Sequence, residues 1–223
     1  MDDVYKFNNL IEYLLKLKNL KRRGWISKAK ILRAESVADH SYSLTALSMV
    51  FSDLLGLDTE KVMKMCIIHD LAESIIGDYM PEEISIVEKK KKEDDAMEIV
   101  ISSFPDKVSL LYSKMWKEFS SNQTKEARLV KQLDKVEMFL QANHYLKKGY
   151  SYEFLSPFLH VLDNIGSSSS NSKGGGEIEE KDDDNSNSNS NSNSNSNSNS
   201  NSNSNSNSNS FQSTLENILK HLS

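Results

Sequence analysis

The amino-acid sequence predicts an all-α domain. Over residues 1–166 apolar side chains recur at helical spacing, glycines are few, only three prolines interrupt, and no segment alternates as a strand would. The first helix runs from about Val4 to Leu20, with Phe7, Ile11, Leu14 and Leu17 along one stripe, and stops before the basic turn Lys21-Arg22-Arg23-Gly24-Trp25. Ser36 and Asp39 have the spacing of an N-terminal cap with an acidic third residue, so a second helix starts there and ends near Gly56. Its inward stripe is Val37, Leu44, Leu47 and Phe51. Asp58 caps a third helix, which carries Val62, Met65 and Cys66 inward and continues to about Ile76, where Gly77 stops it. A polar stretch from Pro81 through Lys89–Lys92 to Phe104 is helical with Ala96, Met97, Val100 and Phe104 inward, and Pro105 breaks it. Lys89–Lys92 reads as a solvated helix face. Helices over Val108–Phe119, Thr124–Leu146 and Tyr152–Ile165 complete the bundle.

Beyond that point the composition changes. Ser167–Ser170, Gly174–Gly176 and an acidic run lead into an unbroken Asn-Ser alternation from Asn185 to Ser210, which has no apolar side chain to bury. The expected organisation is therefore one domain over 1–166, a disordered low-complexity insertion over 167–210, and a closing helix over 211–223. Phe211, Leu215, Ile218, Leu219 and Leu222 give that last segment a stripe that can dock back on the domain. Loop-closure entropy grows only logarithmically with length, so a neutral expansion between two helices is tolerated.

Composition excludes several functions. Residues 1–166 carry 24 Lys and Arg against 25 Asp and Glu, so no polybasic face for nucleic acid is expected. With Cys66 as the single cysteine, neither a disulfide framework nor a cysteine zinc cage can form within one chain. No apolar run approaches a membrane span, and Met1-Asp2-Asp3 lacks the features of a signal peptide. The expectation is a cytoplasmic protein, with nuclear residence the second choice.

Ionisable residues nevertheless fall where helix periodicity demands core. His40 lies on the inward stripe of the second helix, three residues after Val37 and four before Leu44. On the third helix His69 sits four residues after Met65, Asp70 flanks it, and Glu73 lies one turn on. Uncompensated carboxylates in an apolar interior cost several kcal/mol, so Asp70 and Glu73 need partners. Adjacent His and Asp side chains, about 100° apart around a helix, can converge on one ion, with His40 and Asp134 supplying ligands from neighbouring helices. Two imidazoles and two carboxylates without thiolate favour a hard or borderline divalent ion. A lone inward histidine is more often a hydrogen-bonded core residue, and His144, His160 and His221 are left to that role.

These residues resemble a known family. Glu35-Ser36-Val37-Ala38-Asp39-His40-Ser41, then His69-Asp70-Leu71-Ala72-Glu73 with Gly77-Asp78, then Lys131-Gln132-Leu133-Asp134-Lys135 are similar to the successive motifs of the HD-domain metal-dependent phosphohydrolases, in their 5′-deoxynucleotidase branch. The resemblance covers roughly residues 5–165. It implies a helical HD bundle in which His40, His69, Asp70 and Asp134 hold a divalent ion, Mn²⁺, Co²⁺ or Mg²⁺, in a homodimer that hydrolyses deoxyribonucleoside 5′-monophosphates. Glu73 and Asp78 match the family's catalytic acids, which some members assign to a second ion. Arg22 resembles the phosphate-binding arginine, with Arg23 the alternative, because the bacterial pattern places Arg and Trp side by side. Asp78 is implied to bind the sugar, and Trp25 to stand by the substrate site, where its own reading is packing rather than base stacking. Two rival functions stand beside this one: another HD reaction on cyclic or triphosphate nucleotides, and a non-catalytic helical interaction module with a structural metal.

Overall fold

The structure, a computed structural model, describes residues 2–164, 213, 215 and 216. Its helices are α1 (Asp2–Asn19), α2 (Arg23–Ser27), α3 (Val37–Leu55), α4 (Thr59–Ile68), α5 (Glu73–Ile76), α6 (Ile86–Ser102), α7 (Asp106–Ser121), α8 (Lys125–Lys147) and α9 (Tyr152–Leu159), followed by a 3₁₀ turn over Val161–Asn164. No strand occurs among the described residues, and none of their helices is long and apolar enough to cross a membrane. The Asn-Ser stretch lies outside the described residues, as does most of the expected closing helix; of that helix, Leu215 is described and packs against the core.

Helix starts follow the capping chemistry of the sequence. At α3 the Ser36 hydroxyl accepts the Asp39 N–H at 3.1 Å while the Asp39 carboxylate accepts the Ser36 N–H at 2.8 Å, a reciprocal capping box. Asp58 accepts the Lys61 N–H at 3.0 Å at the start of α4, and Thr124 accepts that of Ala127 at 3.3 Å at the start of α8. Gly56, at φ +65°, ends α3 in the left-handed conformation.

The centre of the bundle is α3 packed between α4 and α8, with α4 also on α8. Val37 and Leu44 of α3, Val62, Met65 and Cys66 of α4, and Leu129, Val130, Leu133 and Val136 of α8 are fully buried there. Burial pushes the Cys66 thiol up to about 12.

Besides α2, which forms within the expected basic turn, and the stretch from Pro81, which becomes helical only at Ile86, two details differ from the expected layout. On α1 the buried side is Leu17, with Leu10, Tyr13 and, just past the helix end, Leu20 packed partly against the core, whereas Phe7, Ile11 and Leu14 are exposed. Both faces of α1 carry large apolar residues, so spacing alone does not select the one that meets α3, α5 and α6. The third helix is also interrupted. After Ile68 the hydrogen bonds shorten to the i→i−3 pattern, from Leu71 N–H to Ile68 C=O at 3.2 Å and from Glu73 N–H to Asp70 C=O at 3.1 Å, before α5 forms. That tight turn carries His69 and Asp70.

The chain between α1 and α3 is drawn together at its neck. Arg22 N–H donates to Glu35 C=O at 3.1 Å and Val37 N–H donates to Leu20 C=O at 2.9 Å. The excursion between them contains α2 and delivers Arg22, Trp25 and Glu35 to the end of the bundle where α4 breaks.

Candidate active site

Five of the polar residues expected in the core meet at this end. Nε2 of His69 lies 3.0 Å from Oδ2 of Asp70, Nε2 of His40 lies 3.2 Å from Oδ1 of Asp134, and Nε2 of His40 lies 3.8 Å from the same Asp70 oxygen. Ligand atoms of His40, His69 and Asp134 all fall within 4.8 Å of one another. Around an ion with bonds of about 2.1 Å, neighbouring ligand atoms stand roughly 3.0–3.4 Å apart, the range of the His69–Asp70 and His40–Asp134 separations. Glu73, the fifth, is buried beside them.

The hydrogen-bond inventory tests that fit. Nδ1 of His69 is 2.7 Å from the Cys66 carbonyl, which can only accept, so Nδ1 carries the proton and Nε2 of the neutral ring carries a lone pair. Nδ1 of His40 donates likewise to Glu137 at 2.6 Å. Both Nε2 atoms are buried with no hydrogen-bond partner. Two orphaned, converging imidazole nitrogens beside two carboxylates would be a serious defect in a metal-free design and are what a divalent cation requires.

Charge tells the same story. Burial raises the Asp70 carboxyl, but His69, His40 and Arg22 outweigh it and hold Asp70 well below the usual carboxylate range. Asp134 is also depressed, with burial overcome by Lys135, His40 and Arg22. Burial and Arg22 lower His40, yet the Asp134 and Glu137 carboxylates that face its two ring nitrogens lift it to about 9. Glu73 behaves oppositely: burial first, then Asp70 and Asp78, push it well above its ordinary value, and its Oε2 has no partner.

The cluster forms one wall of a cavity of about 330 Å³. Arg22 lines it, its Nη1 3.6 Å from Asp70 and its side chain 17% exposed. Arg23 instead makes a bidentate pair with Glu83. Asp78 also lines the cavity and accepts the Arg23 backbone N–H at 2.6 Å. Gly77, at φ +81°, makes the turn that brings Asp78 there, a conformation other residues reach only with strain. Trp25 contributes to the wall but is 1% exposed, with its indole N–H on Glu35 at 2.8 Å and its ring 4.2 Å from that of Phe158.

Sequence reasoning missed three participants. Lys89, expected on a solvated face, lines the cavity, where the nearby Glu93, Glu73, Asp70 and Asp78 carboxylates outweigh burial and raise its ammonium. Glu137 and Glu35 stand behind His40. Glu137 was discoverable: it follows Val136 on a helix face that Leu129, Val130 and Leu133 mark as interior.

The family model described as "HD domain" matches residues 14–170. The chain belongs to the HD-domain family. Among HD-domain relatives, the zebrafish protein "5'-deoxynucleotidase HDDC2" is 35% identical, over 65% of this chain and 70% of its own length. The fission yeast "5'-deoxynucleotidase hdd1" is 36% identical over 66% of this chain and 76% of its own. A solved structure of a conserved hypothetical protein from Pyrococcus furiosus aligns with a TM-score of 0.62 at 34% identity, covering 70% of this HD-domain chain and 88% of that one.

Proposed function

We propose that this HD domain is a metal-dependent 5′-deoxynucleotidase that hydrolyses deoxyribonucleoside 5′-monophosphates to deoxynucleoside and phosphate. The observation that carries this reading is the pair of orphaned Nε2 atoms meeting Asp70 and Asp134 on the wall of a cavity that also presents Arg22 and Glu73. The relatives named as 5'-deoxynucleotidases support the substrate class.

His40, His69, Asp70 and Asp134 would hold the ion, with Mn²⁺, Co²⁺ or Mg²⁺ matching a donor set without thiolate. When bound, such an ion supplies a Lewis acid for the phosphoryl oxygens and lowers the pKa of water. Glu73 takes the proton of the attacking water through its unpartnered oxygen as the new P–O bond forms. It holds that proton for return to the 5′-oxygen as the ester bond breaks. Arg22 neutralises the equatorial phosphate oxygens with its planar fork, and Lys89 adds a second cation. Asp78 accepts the 3′-hydroxyl and disfavours a 2′-hydroxyl. The alternative role for Glu73 and Asp78, ligands of a second ion, uses the same cavity. The same reading includes a homodimer, for which exposed Tyr42, Val50 and Leu54 on α3 offer an apolar face.

The deciding assay is phosphate release from deoxyribo- and ribonucleoside monophosphates across a panel of divalent ions, with and without chelator. Ion-dependent release that favours the deoxy series is expected. Pyrophosphate or tripolyphosphate from triphosphates, or ring opening of cyclic nucleotides, would replace this reading with another HD reaction. Lys89→Met is expected to lower kcat/KM by roughly tenfold to a hundredfold, since a hydrogen bond to a charged group contributes about 1.5–3 kcal/mol. Unchanged steady-state kinetics would return Lys89 to a surface role.

A further inference from the structure

The two ring nitrogens of His40 do different work. Nε2 faces Asp134 and Asp70, while Nδ1 lies 2.6 Å from Oε2 of Glu137, with the imidazole fully buried and Glu137 5% exposed. Glu137 follows Asp134 by three residues on α8, one turn along the same face, so a single helix meets both sides of one imidazole. Glu35 arrives from the neck of the α1–α3 excursion, and ligand atoms of Glu35, His40 and Glu137 lie within 4.8 Å of one another. Glu35 is itself anchored: its carboxylate accepts the Trp25 indole N–H at 2.8 Å, and its backbone N–H donates to the Tyr145 hydroxyl at 2.9 Å.

This second cluster has two physical interpretations, another ion site or a hydrogen-bonded brace. The geometry favours the brace. A separation of 2.6 Å between Nδ1 and Oε2 is a short charge-assisted hydrogen bond, tighter than two ligands around one ion of about 2.1 Å bond length would stand. An indole N–H already occupies Glu35.

We infer that Glu137 is the positioning residue of the metal centre: it fixes His40 with the proton on Nδ1 and aims the Nε2 lone pair at the ion, with Glu35 closing the pocket behind it. This rests on the metal-centre reading above. Outer carboxylates of this kind typically contribute about 10–100-fold in metal affinity.

The test titrates the full-length, metal-stripped protein with Co²⁺, followed by calorimetry and by visible absorption of the bound ion, without any turnover. Glu137→Gln keeps an acceptor at the same reach and should bind Co²⁺ close to wild type. Glu137→Asp keeps the charge but withdraws it from Nδ1, and Glu137→Leu removes the acceptor; both should lose roughly 10–100-fold in affinity. The Gln and Asp variants separate placement from charge even if the Leu variant folds poorly. Wild-type affinity in the Asp variant, or a Gln variant as weak as the Asp one, overturns the assignment. A wild-type protein that binds no divalent ion overturns the metal-centre reading itself, and this inference with it.

Discussion

Glu73→Gln is expected to bind a divalent ion as the wild type does and to hydrolyse nucleotide roughly 10²–10⁴-fold more slowly, the range contributed by a positioned general base. The side chain is 7% exposed, its Oε2 has no partner, and burial with Asp70 and Asp78 keeps its proton affinity high, which equips it to take a proton from water. Gln preserves volume and one acceptor but cannot accept that proton. The loss should therefore appear in kcat rather than in ion affinity. Steady-state kinetics beside metal titration separates three cases. Wild-type turnover removes Glu73 from the chemistry. Loss of one ion equivalent makes Glu73 a ligand. Slow turnover with full ion content supports the base.

Asp134→Ala is expected to abolish both ion binding and turnover. Asp134 is the carboxylate that α8 brings to His40 Nε2, 3.2 Å away, and no other carboxylate on α8 reaches the same side of that ring. An ion held by these side chains would bind the folded chain only, because they lie on separate elements brought together by the fold. At a free concentration a hundredfold above Kd it should stabilise wild type by about 2.7 kcal/mol. Thermal melts with added ion and with chelator provide the readout: a clear upward shift for wild type, none for Asp134→Ala. An ion-dependent shift retained in the variant would remove Asp134 from the coordination shell.

Much of this centre was legible from periodicity. His40 falls between Val37 and Leu44, both of which the structure buries completely, and Asp134 follows Leu133 on α8. A charged group on such a stripe is conspicuous because burial without a partner is costly. What was not legible depends on distant parts of the chain. Nothing local to Lys89 marks it as different from Lys90 to Lys92; only the docking of α6 near α5 turns it toward the cavity. The break after Ile68 was hidden because Leu71, Ala72 and Ile76 continue a helical pattern across it. The choice between Arg22 and Arg23 was open for the same reason: Glu83, distant in sequence, occupies Arg23 and leaves Arg22 facing Asp70.

The lone thiol has a practical corollary. Cys66 is fully enclosed beneath the loop that carries His69, and its sulfur is held in the neutral form at ordinary pH. Alkylating dyes and spin labels react with thiolates that solvent can reach, so the native chain is a silent background for them. A cysteine introduced at exposed Leu32 or Ile86 becomes a unique attachment point, and probe distances between such points can be measured without first mutating Cys66.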